Sequence, residues 1–177
     1  LNALKISGRT KGGLGIGVLN AVTEKTEATI RKTTINPDNT TTTESRKVVV
    51  EPLANYNVLV LDQRFNQNSS VSLVNTNVTR NGEYRDANVS ALVWDLNTKQ
   101  NSYNLSGNFK YSYINELYNY EDKKGYDTSL DFEKTSGKYR FNLGGQYVSN
   151  EYDNNDLGIN FQTHFHAAYG NISYRIL

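Results

Sequence analysis

Ser102-Tyr103-Asn104-Leu105-Ser106-Gly107-Asn108-Phe109-Lys110-Tyr111-Ser112-Tyr113 alternates without interruption. Tyr103, Leu105, Gly107, Phe109, Tyr111 and Tyr113 are apolar, aromatic or small, and every residue between them is polar. Successive side chains of an extended backbone point to opposite sides, so a period of two predicts a β-strand with two chemically opposed faces. The apolar face has Leu105 and Phe109 in its middle and tyrosines toward both ends. An outer-membrane barrel shows lipid this kind of band, apolar at its centre and flanked by aromatic girdles.

Neighbouring segments repeat the pattern. Tyr126, Thr128, Leu130 and Phe132 oppose Asp127, Ser129, Asp131 and Glu133, while Tyr139, Phe141, Leu143, Gly145 and Tyr147 oppose Arg140, Asn142, Gly144 and Gln146. The residues expected to face lipid are Tyr103, Leu105, Phe109, Tyr111, Leu130, Phe132, Tyr139, Phe141 and Leu143. A soluble antiparallel sheet with one solvated face would alternate in the same way. Tyrosines at strand ends favour the membrane reading.

Alternation and turn residues together predict about nine strands: Ala3 to Arg9, Gly13 to Thr23, Asn55 to Phe65, Val71 to Arg80, Ala87 to Leu96, Ser102 to Tyr113, Gly125 to Lys134, Lys138 to Val148 and His164 to Leu177. Helical periodicity is missing, so the expected fold class is all-β, an antiparallel up-and-down meander forming part of an outer-membrane β-barrel. The links alternate in length. Lys11-Gly12, Asn66 to Ser70, Asn97 to Asn101 and Thr135 to Gly137 are short; Glu24 to Glu51, Asn81 to Asp86, Ile114 to Lys124 and Ser149 to Thr163 are longer. In a meander this sorts tight turns to one end and loops to the other, as periplasmic turns and extracellular loops are sorted. Residues 24–51, which include the polar run Asn36 to Ser45, are expected to be a long extracellular loop.

Composition sets bounds on function. A chain of 177 residues is one domain's worth, and its formal net charge of +1 provides no cationic surface for nucleic acid. A mean hydropathy of −0.65 excludes a bundle of membrane helices. Barrel strands tolerate it, because half of their residues are hidden from lipid. Cysteine is absent, which removes disulfides, thiolate metal sites and thiol nucleophiles. Methionine is also absent, and Leu1 stands where an initiator would, so an upstream segment is expected to have been removed. An odd number of antiparallel strands cannot close simply, which makes residues 1–177 an expected fragment of a larger barrel.

Lys5 to Lys11, Leu19 to Thr23, Glu51 to Tyr56, Asn154 to Gly158 and Gly170 to Arg175 carry a family resemblance. In this order they resemble an uncharacterised Gram-negative family of carbohydrate-binding-module-nine-like proteins with a C-terminal outer-membrane barrel. The resemblance implies an internal part of that barrel, separated from a sugar-binding sandwich. It also implies location in the outer membrane of a Gram-negative bacterium, the lipid bilayer and other outer-membrane proteins as partners, and glycans only through the missing domain. The expected role is a membrane-embedded platform or a subunit of a larger complex. A pore and a surface carbohydrate-processing protein are the alternatives.

Motifs that would carry chemistry are sparse. Gly12-Gly13-Leu14-Gly15-Ile16-Gly17 has glycines enough for a phosphate loop, but a dinucleotide fingerprint needs a helix to follow, and here a strand does. His164 and His166 are spaced to share one face of an extended segment, and Asp153 and Asp156 lie in the preceding loop, which makes these four the candidate metal ligands. Glu151, with Asn154 and Asn155, adds hard oxygens of the kind calcium takes. Glu116, Glu121 and Asp122 near Tyr118 and Tyr120 form either a sugar-contacting surface or an exposed loop. Asn39, Asn68, Asn77, Asn88, Asn104 and Asn171 begin Asn-x-Ser/Thr triplets, which the composition of alternating polar strands generates by itself. No catalytic residue, cofactor-binding residue or cofactor is assigned, and the expectation leans away from an enzyme.

Overall fold

The computed structural model describes residues 1–117 and 120–176. Its strands are β1 (Asn2–Arg9), β2 (Leu14–Thr23), β3 (Thr26–Ile35), β4 (Thr41–Glu51), β5 (Ala54–Phe65), β6 (Ser69–Arg80), β7 (Asp86–Asn97), β8 (Tyr103–Asn115), β9 (Lys123–Lys134), β10 (Tyr139–Val148) and β11 (Phe165–Tyr174). No helix occurs among the described residues, so none is long and apolar enough to cross a membrane. Nine strands form one sheet in the order β1-β2-β5-β6-β7-β8-β9-β10-β11, and every pairing is antiparallel. All nine expected strands are present, with ends shifted by a few residues. Leu177, the expected end of the last strand, lies outside the described residues.

The segment 24–51 departs from the expected loop. It contains β3 and β4, which pair with each other as a separate two-stranded sheet. Thr, Ile and Val dominate these strands and favour extended backbone. The reversal is built by Asn36, whose N–H donates to the Thr40 carbonyl at 2.8 Å, and by Asn39 at φ 61°. Both faces of the hairpin are polar and almost all of it is exposed. A period-two hydrophobic pattern therefore has nothing to register there, and the meander has eleven strands rather than nine.

Links sort by length to the two ends of the large sheet. Thr10–Gly13, Asn66–Asn68, Thr98–Ser102 and 135–138 turn tightly at one end. Asn66 and Gln67 adopt left-handed φ of 50° and 65° within the three-residue link closed by the Phe65–Ser69 pair. The hairpin, residues 81–85, residues 116–117 and 120–122, and residues 149–164 lie at the other end.

Register determines what shares a face. Phe109 lies in a row of direct partners running Gly8, Ile16, Leu61, Leu73, Leu92, Phe109, Thr128, Tyr147 and His166. Tyr103, Leu105, Phe109, Tyr111, Leu130, Phe132, Tyr139, Phe141 and Leu143 all fall on this face. The opposite face carries Arg9, Asp62, Ser72, Asp95, Asn108, Lys110, Asp127, Ser129 and Asp131. The polar face is the less accessible: Phe109 is 47% exposed while Asp127 is 5% exposed. Along β8 the apolar positions from Tyr103 to Tyr111 are exposed and their polar neighbours part-buried or buried, with glycine the exception. Buried apolar side chains are few, and Ala54, Val78, Ala87, Ile114 and Val148 belong to the polar face near the loop end.

Gly107 in β8 leaves no room for a side chain between Trp94 of β7 and the backbone of β9. A Cβ there would meet the Ser129 carbonyl oxygen at 2.3 Å and the Trp94 ring at 2.7 Å. Gly107→Val is expected to destabilise the sheet by about 1 to 3 kcal/mol through overpacking. The check is the shift in denaturation midpoint at unchanged slope.

Candidate functional site

Two surfaces concentrate what the sheet can do. The first is the apolar face, whose band does not follow the hydrogen-bonded rows. From Ile6 the row passes through Val18, Leu59, Asn75, Ser90 and Tyr111 to Tyr126, then runs off the end of β10. From Ile172 it passes through Phe141 and Lys134 to Tyr103, then into the turn before β8. Large apolar residues therefore sit near the loop end in β1 and near the turn end in β11. The band crosses the strands obliquely.

Aromatic side chains bound the band in β8 to β11. Tyr139 and Tyr174 lie 4.9 Å apart at the turn end, and Tyr126 stacks on Tyr147 at 5.5 Å at the loop end. Between them Phe132 meets Phe141 at 5.6 Å. In β2, β5, β6 and β7 the loop-side boundary is made instead by Asn20, Asn57, Asn77 and Asn88, which are direct partners in one row. Asn20 donates its amide to Asn55 at 2.6 Å and to Asn57 at 2.8 Å, and Asn75 donates to Ser90 at 2.9 Å. Asn20 thus bonds across to Asn55 and Asn57, and Asn75 to Asn88 and Ser90. Sequence reading missed the row because alternation shows which face an Asn occupies, not which Asn lies beside it.

The second surface is the polar face with residues 149–164 laid across it. Ser149 fixes the start: its N–H donates to the Tyr126 carbonyl and its hydroxyl accepts from the Tyr126 N–H, both at 2.9 Å. Tyr152 is 4% exposed, and a Cβ on Gly125 would come within 2.2 Å of its backbone nitrogen. Glycine at 125 is thus what lets the segment descend onto β9. The Asp153 N–H donates to the Ser112 hydroxyl at 3.1 Å. Asp156 then accepts from Arg80 at 2.6 Å and from Arg85, which also pairs with Asp153 at 3.3 Å. Arg80 is itself oriented by donating to the Arg85 carbonyl at 2.7 Å.

Electrostatics follow from this enclosure. Burial works against the Asp156 carboxylate, but donation from Arg80 and Arg85 outweighs it and holds the group below the usual carboxylate range. Burial likewise works against the Arg85 cation, and Asp156 and Asp153 more than offset it, raising its pKa. Tyr152 is pushed up to about 12, by burial first and by the charges of Asp127 and Asp153 after it.

The four candidate metal ligands are not brought together. Asp153 and Asp156 face guanidinium groups. His164 has φ 56° and precedes β11, so the extended spacing expected of His164 and His166 does not hold; His166 pairs across from Tyr147 on the apolar face. Among the described residues no group of three or more His, Cys, Asp or Glu is arranged to hold a metal ion. Glu151 accepts from the Asn150 amide at 2.8 Å. Glu116 pairs with Lys123 at 2.8 Å, and Asp122 accepts from the Tyr113 hydroxyl at 2.6 Å. Glu121 and Tyr120 are exposed, and Tyr118 lies outside the described residues. Gly12 to Gly17 form the β1–β2 turn and the start of β2, with Gly13 at φ 89°. Arg80, Arg85 and Tyr152 were not legible as a set, because the ion pairs join residues 76 and 71 positions apart.

Residues 1–177 match a protein family described as a Domain of unknown function (DUF5916). No curated protein and no solved structure matches the chain.

Asp156 is held below its ordinary value of 3.8, so its stabilising contribution is complete above that pH and is lost as pH falls through the folded-state value. Urea titrations at decreasing pH should therefore lose stability below about pH 4. Asp156→Asn should be less stable at neutral pH and should flatten part of that acid-side loss.

Proposed function

The chain belongs to the DUF5916 family, and we propose that it forms part of the wall of an outer-membrane β-barrel, serving as a membrane-embedded platform or a subunit of a larger outer-membrane complex. The observation that carries this reading is the inverted burial of the sheet. Most of its large apolar side chains are exposed on one face, while its carboxylates lie mainly on the other, less accessible one. In water such a surface is an aggregation hazard; against hydrocarbon it is the favourable arrangement.

Three further features support it. The apolar band is oblique to the strands, tyrosines and asparagines mark its boundaries, and tight turns and loops sort to opposite ends. In this reading the loops, including the β3–β4 hairpin, face the cell exterior, and the apolar face meets the lipid bilayer. Backbone groups within a bilayer must all be satisfied, so the free edges of β1 and β11 require additional strands. Nine antiparallel strands leave those edges running in the same direction, and an odd number of further strands completes an antiparallel closure.

A pore is the second reading, favoured by the polar face. Asp95, Asp131 and Glu133 lie there with no ion pair among the described residues. A carbohydrate role rests on the family resemblance alone.

The full-length protein is expected to require detergent for extraction and to show heat-dependent gel mobility; a monodisperse, detergent-free monomer would overturn the membrane reading. Phe109→Arg should cost about 2 to 4 kcal/mol of folding into lipid vesicles if position 109 faces the bilayer midplane. Asn108→Arg, on the polar face, should cost far less, and equal tolerance would contradict the facing. Single-channel conductance of the intact protein separates a pore from a closed scaffold.

A further inference from the structure

Residues 149–164 give the large sheet its one second layer among the described residues. They leave at the end of β10 and return at the start of β11, neighbouring strands for which a tight turn would suffice. Instead they reach back across β9 and β8 to Arg80 at the end of β6 and Arg85 beyond it. From β10 to β6 is four strand steps, roughly 19 Å at ordinary strand spacing. We propose that this segment is a strap latched across the loop-end mouth of the polar face, with Tyr152 on Gly125 as its fixed foot and Asp156 between Arg80 and Arg85 as its releasable latch.

The two attachments differ in kind. At the foot, Tyr152 is buried, and Ser149 continues the β9–β10 ladder with two hydrogen bonds. At the far end the hold is mainly ionic, and beyond it Ile159 and Phe161 are 73% and 95% exposed. Closure also buries the Asn154 amide oxygen without a protein partner, which works against the closed state. A latch of charge-assisted hydrogen bonds beside an unsatisfied amide oxygen is the composition of a segment that opens locally while the ladder beneath it stays intact. When closed, the strap covers Val78 and Ala87; released, it opens the polar side to solutes from the loop end. The contacts stand by themselves, and the consequence for passage rests on the barrel reading.

The test uses thiol labelling of the full-length protein, since residues 1–177 contain no cysteine of their own. Val78→Cys places one thiol beneath the strap at a position 1% exposed, and Ser106→Cys places a control on the polar face nearer the turns. A water-soluble maleimide is expected to label Val78→Cys slowly. Adding Asp156→Asn should speed that reaction by roughly tenfold or more, as losing charge-assisted hydrogen bonds from a local opening equilibrium does. The rate at Ser106→Cys should not change. An unchanged rate at Val78→Cys, or equal acceleration at both positions, would overturn the strap. Hydrogen exchange of the protein without these substitutions gives a second readout. The amides of Asp153, Asn155 and Asn160 should exchange together and well before those of β8 and β9, and equal rates would also overturn it. Labelling and exchange can be read in detergent or in water, so failure of the strap is distinguishable from failure of the membrane reading.

Discussion

The continuous antiparallel ladder from β1 to β11 is the constraint on which the rest depends. Once the backbone pairs are fixed, every side chain is assigned a face and a cross-strand neighbour, and a slip of one residue would exchange the faces of an entire strand. The ladder satisfies the backbone groups between adjacent strands, so the side chains are left to decide what medium each face meets. They decide it consistently. Leu59, Leu73, Leu92, Phe109, Leu130 and Leu143 face one way across six consecutive strands, and Asp62, Ser72, Asn108, Asp127 and Gln146 face the other.

The energetics of such a sheet differ from those of a packed core. Among the described residues no opposing layer buries the apolar face, and extensive contacts between strands run between ladder neighbours. Polar residues are instead grouped so that they satisfy one another: Arg9 with Asp62 and Ser72, Lys110 with Asp127 and Gln146, Tyr169 with Asp131. Most of these links are cross-strand, the sheet equivalent of neighbouring turns on a helix. A sheet of this kind gains its stability from backbone pairing and, in the proposed reading, from hydrocarbon on its apolar side. That is why the proposed bilayer is part of the physical account of the fold rather than an address added to it.

The strap illustrates how a nearly two-dimensional fold acquires a third dimension. Glycine at 125 removes the side chain that would hold the loop away from β9, and the space it leaves is taken by the backbone of Tyr152. Beyond that point the chain is guided by hydrogen bonds from its own amides and by a carboxylate shared between two guanidinium groups. The metal-ligand expectation for Asp153 and Asp156 and the observed ion pairs rest on the same chemistry, oxygen atoms that require positive charge. Distant arginines, rather than local histidines, provide it.

Much of the fold was legible in the sequence because a period of two is a local property. Tyr103 to Tyr113 announce two faces without reference to any other strand, and the nine strands of the large sheet follow from the same signal. Where both faces are polar, as in β3 and β4, the signal vanishes although the strands remain. The row Asn20, Asn57, Asn77 and Asn88, the oblique course of the apolar band and the latch at Asp156 were beyond reach for a different reason. Each is defined by which residues register opposite one another or meet across the sheet, at separations reaching 76 positions in the chain. Alternation assigns a side chain to a face; only the assembled ladder, and the loop folded over it, determine that side chain's neighbours.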